Sequence, residues 1–333
     1  VVLAGDIYDA PVPPAAACTL LDWFLTQLAA RRIAVLAVSG NHDSAERLDY
    51  AAGLLANQNV YIAGQFRGAP RQIVLNDRFG PVEFTLLPFV RAATVRHYMP
   101  EADLPDYDSA VAAALSACAP SAERRVLVAH QMVVAGLCPP QLSGSETAPL
   151  TVGTVDSVDA AHFAGFSYTA LGHIHRAQRV GSDTVRYAGA PLCYHLDECG
   201  TEKSATLVRL SRRGVDGIDT LPLHPRRAMR HIVGPLAKLV EHPADTGDYI
   251  WATLTDPTPQ PDAMAILRTA YPNAMRLDYR PQGAEILPAD TAQSVRGKPF
   301  ASLFEDFFTQ MNGRPLTVEE ARAVKALREE ASK

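Results

Sequence analysis

Short apolar runs that close on glycine and a polar residue recur along the chain, and amphipathic stretches separate them. The opening run, VVLAGD, reads as a buried parallel strand whose carboxyl end delivers Asp6. Leu21, Phe24, Leu25 and Leu28 then recur at helical spacing, and IAVLAVSG (33–40) returns as a second buried strand. Strand, helix and strand in that order make a βαβ unit, so the sheet is parallel here and the fold class is α/β. A further helix is predicted in AERLDYAAGLLANQ (45–58) and another in DSAVAAALSACA (108–119). VYIAG, RQIVLND, VEFTLLPFV, RRVLVAHQ, FSYTALGHIH, DTVRYAGA and KSATLVRLS read as strands.

The pattern changes after Leu223, where HPRRAMRHIVGP is basic and bounded by prolines. Beyond it DYIWATLTD, a helix in DAMAILRTAY, and AMRLDYRP form a small α+β unit, and TAQSVRGKP (291–299) reads as a linker. Two tail helices follow. The first carries Phe300, Leu303, Phe304, Phe307, Phe308 and Met311 at helical spacing, and a Thr317-x-x-Glu320 capping box opens the second. The predicted domains are therefore 1–223, 224–290 and 291–333.

Composition narrows the classes only a little. With 333 residues the chain is long enough for a large core plus a smaller unit, and 47% hydrophobic with 20% charged residues is ordinary for a globular protein. A net charge of -5 supplies no global basic field, so any nucleic-acid surface is local. Arg226, Arg227 and Arg230 are one such cluster, readable as phosphate contacts or as a solvated basic turn. Five cysteines with no CxxC pair argue for a reducing compartment and against a thiolate zinc site. No apolar stretch is long enough to span a bilayer, so no membrane role is expected.

Chemistry concentrates at strand ends: GDIYD, GNHDS, VAHQ, LGHIH and YAGAP. In open α/β sheets ligands gather at the carboxyl ends of strands, where side chains distant in sequence meet. Each stretch alone has a plainer reading. Asp6 suits a turn or cap, Asn41-His42-Asp43 a turn, and His130 a hydrogen-bonded structural role. The sharpest signal is His173-x-His175, two imidazoles beside a glycine at the end of an apolar strand, which suits metal ligation. One carboxylate, one amide oxygen and three imidazoles favour manganese, iron or zinc over magnesium, which prefers oxygen alone. With so few carboxylates, two divalent cations would keep excess positive charge and attract a phosphate. His97, His162, His195, His224, His231 and His242 lack this context and read as ordinary core or surface residues, His195 least securely because it follows YAGAP.

In order and wording, GDIYD, GNHDSAERL, VAHQ, LGHIH and YAGAP, with LPFVRAATVR between the second and third, resemble the calcineurin-like metallophosphoesterases. Within them, GNHDSAERL and the SLFEDFFTQMNGRPLT tail resemble the SbcD-type nuclease subunits of bacterial SbcCD complexes. The resemblance implies an αββα sandwich with a small α+β capping domain and a C-terminal helical tail. It implies two divalent metals, manganese above all with magnesium as the alternative, about 3.5–4 Å apart around a shared water. Asp6 matches the bridging aspartate, Asn41, His130 and His173 the other ligands of one metal, and His175 a ligand of the second. His42 matches the histidine that contacts the scissile phosphate, while Asp9 and Asp43 are expected to orient ligands.

The activity implied is ATP-linked 3'-5' exonuclease on double-stranded ends and endonuclease on single strands or hairpins, in DNA repair, recombination and replication. The implied partners are DNA and an SbcC-type coiled-coil ATPase, docked on the phenylalanine-rich helix, in a heterotetramer containing a homodimer of this chain; the expected location is cytoplasmic and nucleoid-associated. Members of the family carry an Asp-x-His motif on a strand before GDIYD. The chain therefore reads as truncated at its amino terminus, with one well-held metal at most and little nuclease activity. Two other readings stand beside this one: a phosphoesterase acting on a small phosphodiester or phosphoprotein, and a non-catalytic DNA-binding scaffold.

Overall fold

The computed structural model describes residues 1–136, 138–146, 157–280 and 300–331. It divides into two units, Val1–Pro225 and Arg226–Lys333.

The first unit opens with the expected βαβ arrangement: β1 (Val2–Ala4), α1 (Ala15–Ala30) and β2 (Val35–Val38). Two short helices, α2 (Ala45–Leu48) and α3 (Ala52–Ala56), lead to β3 (Val60–Ala63). The single helix expected over 45–58 is broken because Ala51 adopts a left-handed backbone, φ 58°. The Asp49 carboxylate, just ahead of the break, takes the amides of Gly64 and Gln65 and ties the turn to the end of β3. The three strands form a parallel sheet in the order β1-β2-β3.

A second sheet follows, built from β4 (Arg71–Asp77), β5 (Gly80–Leu87), β6 (Arg124–His130), the short pair β7 (Val133–Val134) and β8 (Val158–Asp159) that stands apart from it, β9 (Tyr168–Gly172), β10 (Gln178–Val180) and β11 (Ser182–Tyr187). Its order is β10-β11-β9-β6-β5-β4. The four central strands are parallel and both edges antiparallel. Helices α4 (Ala92–Tyr98) and α5 (Tyr107–Ser116) lie between β5 and β6 in sequence. LPFVRAATVR (87–96) runs from the last residue of β5 into α4. Asp106 and Ser109 cap α5 reciprocally. A hairpin, β12 (Lys203–Ser211) and β13 (Gly214–Leu223), closes the unit.

Strand alternation sorts the core into layers. Val35, Ala37, Val60 and Ile62 pack with Leu25 and Leu28 of α1 and with Leu48, Ala52 and Leu55. Their neighbours Leu36, Val38 and Ala63 turn the other way, onto Leu86 and Val128 of the second sheet. That sheet's far face, including Leu87, Leu127, Ala129 and Tyr187, packs on Val95, Ala110, Val111 and Ala114 of α4 and α5. The layers run helix, sheet, sheet, helix. Each fully buried Leu or Val at these positions contributes roughly 1.5–3 kcal/mol, which makes sheet-on-sheet packing the main determinant of where the strand ends lie.

The second unit is a parallel sheet of β14 (Met229–Gly234), β15 (Tyr249–Leu254) and β16 (Ala274–Tyr279), crossed by α6 (Leu236–Glu241) and α7 (Ala263–Ala270). Ile250, Ala252 and Leu254 face Leu236, Leu267 and Tyr271. The basic segment around Arg226 therefore runs directly into a strand. The tail helices are α8 (Phe300–Asn312) and α9 (Val318–Ala331), and Thr317 and Glu320 form the expected capping box at the start of α9. The expected linker 291–299 lies outside the described residues.

Candidate metal centre

Four chain reversals at strand ends bring the predicted residues together. Gly5 follows β1 with φ 87°, and a Cβ there would sit 2.2 Å from Nδ1 of His130, so only glycine admits the ring. Asp6, the next residue, has φ 48°, and His173, directly after β9, has φ 100°. Non-glycine residues held in such conformations cost about 1–3 kcal/mol each and concentrate at functional sites.

His130, 1% exposed at the end of β6, places Nδ1 2.8 Å from the main-chain oxygen of Ala4. A carbonyl only accepts, so Nδ1 carries the proton. In the neutral ring Nε2 is then a lone pair, and it faces Asn41 Oδ1 at 3.0 Å and Asp6 Oδ2 at 3.3 Å. His173 Nδ1 is also 3.0 Å from Asn41 Oδ1, and the two imidazoles stand edge-to-face with centroids 5.2 Å apart. Lone pairs of a buried nitrogen, an amide oxygen and a carboxylate thus converge on one point, an arrangement that asks for a cation.

Protonation agrees with that demand. Burial, reinforced by the neighbouring His130, pushes His173 down to about 4, so it is neutral at pH 7. Burial works to raise the Asp6 carboxyl, but its contacts with His130 and with the amide of His42 outweigh it and hold Asp6 below its usual range. Asp6 is a carboxylate here, and His173 can offer a neutral nitrogen. Asp6, Asn41, His130 and His173 therefore fit a divalent cation in donor chemistry. Among the described residues, no three His, Cys, Asp or Glu side chains are grouped to hold a metal; the cluster depends on the amide oxygen of Asn41.

The other predicted residues divide. Asp43 accepts the amides of Ile7 at 3.0 Å, Tyr8 at 2.8 Å and Gly40 at 2.9 Å, so one carboxylate locks the GDIYD loop to the GNHD loop. Burial pushes the Asp43 carboxyl up, against the pull of those three amides. Asp9 acts through its main-chain oxygen, 3.0 Å from His42 Nδ1, and not through the carboxylate expected from sequence. The exposed His42 donates its amide to Asp6 Oδ1 at 3.0 Å. His175 turns Nδ1 to Ser145 Oγ at 2.7 Å.

In the second unit Arg230 points inward. Its guanidinium, partly exposed, is engaged by Asp248 at 2.9 Å and by the carbonyls of Ala244 and Asp245. Arg226 and Arg227 are exposed, the latter 5.9 Å over the Tyr249 ring. On α8, Phe304 and Phe308 are partly buried, Phe307 is 57% exposed, and Phe304 and Phe307 lie 6.4 Å apart. The Phe300 and Leu303 side chains lie outside the described residues.

Several residues of the site were missed by sequence reasoning. Ser145, Glu146 and Glu198 surround His175, and Lys203 pairs with Glu198. Tyr187 of YAGAP is fully buried; its hydroxyl donates to Gln131 O at 2.9 Å and accepts from the Val133 amide at 2.7 Å. Ser145 and Glu146 sit in a loop and Glu198 ends a one-turn 3-10 helix, none with a periodic signal, and only the tyrosine lay in a motif already singled out. His195 pairs with Asp197 and His162 with Asp108, each away from the four-residue cluster.

The first unit is thus a four-layer α/β body with a polar, cation-demanding site where strand ends of two packed sheets meet. Residues 225–312, all but the first of them in the second unit, match the family model SbcD_C, described as the type 5 capsule protein repressor C-terminal domain. That match supports an SbcD-type protein. Among the described residues, no helix is long and apolar enough to cross a membrane.

Proposed function

We propose that the chain is an SbcD-type nuclease subunit that hydrolyses DNA phosphodiester bonds with divalent metal bound at the strand-end cluster. The observation that carries the reading is the pinned His130, whose Nε2 lone pair faces the oxygens of Asn41 and Asp6. The family match over 225–312 supports it independently.

Asp6, Asn41, His130 and His173 would hold a metal, manganese by donor chemistry with magnesium as the alternative, and His175 would contribute to a second. When bound, such metal lowers the pKa of a water and neutralises phosphate oxygens. The chain's own residues do the rest. Ala4 O holds the His130 tautomer. Asp43 fixes the loops that carry Asp6 and Asn41. His42, exposed and tethered at Nδ1 to the Asp9 carbonyl, would hydrogen-bond a phosphate oxygen or pass a proton to the leaving oxygen from Nε2. Arg226 and Arg227 supply sequence-independent phosphate contacts. An SbcC-type ATPase would dock on α8, and a homodimer of this chain would form part of the assembly.

The test is cleavage of end-labelled double-stranded DNA and of a small phosphodiester dye, with and without manganese and with the ATPase partner. Metal-dependent cleavage of DNA, lost in Asn41→Ala, supports the reading. Turnover of the dye alone favours a small-molecule phosphoesterase, and DNA binding without any cleavage favours a scaffold.

A further inference from the structure

His175 sits at the centre of a buried polar chain that the proposed chemistry does not use. Glu198 is fully buried, and one of its carboxylate oxygens is paired with Lys203 Nζ, which also donates to the main-chain oxygen of His175 at 3.2 Å. The other, Oε1, lies 3.1 Å from Ser145 Oγ and accepts its proton. A serine hydroxyl has one proton to give and two lone pairs to offer. With its proton spent on Glu198, Ser145 Oγ can only accept from its remaining neighbours, Ser143 Oγ at 2.6 Å and His175 Nδ1 at 2.7 Å. His175 Nδ1 must then carry the hydrogen. Glu146 anchors the same loop from the other side: it takes the His175 amide at 2.5 Å on one oxygen and the Ser143 amide on the other. The loop Ser143–Glu146 is held close at Gly144, where a Cβ would meet the His195 ring at 2.3 Å.

We propose that Ser145 and Glu198 are positioning residues that lock His175 in the Nδ1–H tautomer, leaving the Nε2 lone pair as its only metal-binding atom. The device parallels His130, whose Nδ1 proton is held by the Ala4 carbonyl, but uses a serine relayed to a carboxylate. Its value for function rests on the proposed metal centre; the tautomer itself does not.

The test is a long-range proton–nitrogen correlation spectrum of the whole chain labelled with 15N-histidine, metal-free and at mildly alkaline pH, with His175→Gln used to assign the resonance. The expected result is a protonated Nδ1 and an unprotonated Nε2 for His175. In Ser145→Ala that preference collapses toward the Nε2–H form common to free imidazole, and Ser145→Thr, which keeps the hydroxyl, restores it. His175 in the Nε2–H form in the unsubstituted protein, or an unchanged tautomer in Ser145→Ala, overturns the inference. Manganese is then added to the same samples, and paramagnetic broadening of His130 and His173 reports on the metal centre. Its absence refutes the proposed centre while leaving the tautomer result standing, so the two ideas fail separately.

Discussion

His130, at the end of β6, reaches out of its own sheet to the carbonyl of Ala4 at the end of β1, 2.8 Å away. That contact helps to join the two sheets at the site and decides which nitrogen faces Asn41 and Asp6.

If the converging lone pairs hold a metal, Asn41 is indispensable, because its Oδ1 is the atom shared by both histidines. Asn41→Ala is expected to lower manganese affinity by at least about tenfold, with a circular dichroism spectrum unchanged. Titration calorimetry measures it, and the expected stoichiometry for the unsubstituted chain is one manganese, since Asp6, Asn41, His130 and His173 form one furnished position.

Asp43 serves three amides with two oxygens. Asp43→Asn replaces one acceptor by a donor and sets it against a backbone N–H. The expected loss is about 1–3 kcal/mol, read from the urea midpoint at constant slope. Manganese binding weakens as well, because both loops that carry donors are released.

Acid should attack the second sheet at β5 through Glu83. Burial of this residue works to raise its pKa, but the amide and hydroxyl of Ser121, with Thr85 and Gln72, overcome it and bring the carboxyl down to about 2 from 4.5. A depressed folded-state pKa gives stability that is present above about pH 4.5 and drains away as pH falls toward 2. Glu83→Gln should flatten the acid limb of a melting-temperature profile across that window; an identical slope in both proteins would refute the assignment.

On α8 the exposed ring of Phe307 lies beside Phe304. Replacing both with serine should weaken capture of an SbcC-type coiled coil by at least about tenfold while manganese binding is untouched. Surface-retained complex measured by interferometry distinguishes this from a tail helix that only covers its own unit.

Much of this site was legible in the chain because contiguous apolar runs such as Val35–Val38 and Leu127–Ala129 give way abruptly to Gly, Asn or His. Strand ends in a parallel sheet converge, so those residues had to meet. The break at Ala51 was not legible: its left-handed backbone is imposed by the Asp49 anchor to Gly64, a tertiary contact with no local signature. The ion pair of Arg230 was not legible for a similar reason, since Asp248 is distant in sequence and only the strand pairing of β14 with β15 brings it near. The role of Asp9 was assigned to the wrong atom because residue type says nothing about which oxygen, side chain or backbone, a neighbour will find.

The split origin of the donors bears on how the chain folds. Asp6 and Asn41 extend from the first sheet, His130 and His173 from the second. Either half alone presents two donors, too few to compete with water for a divalent ion. Were the proposed metal to bind, high affinity would appear only once the sheets have docked, and a cation that binds only the docked form would stabilise it by mass action. Refolding with and without manganese should leave early collapse unchanged and retard unfolding, so the ion would act as a latch on the finished structure and not as a template for building it.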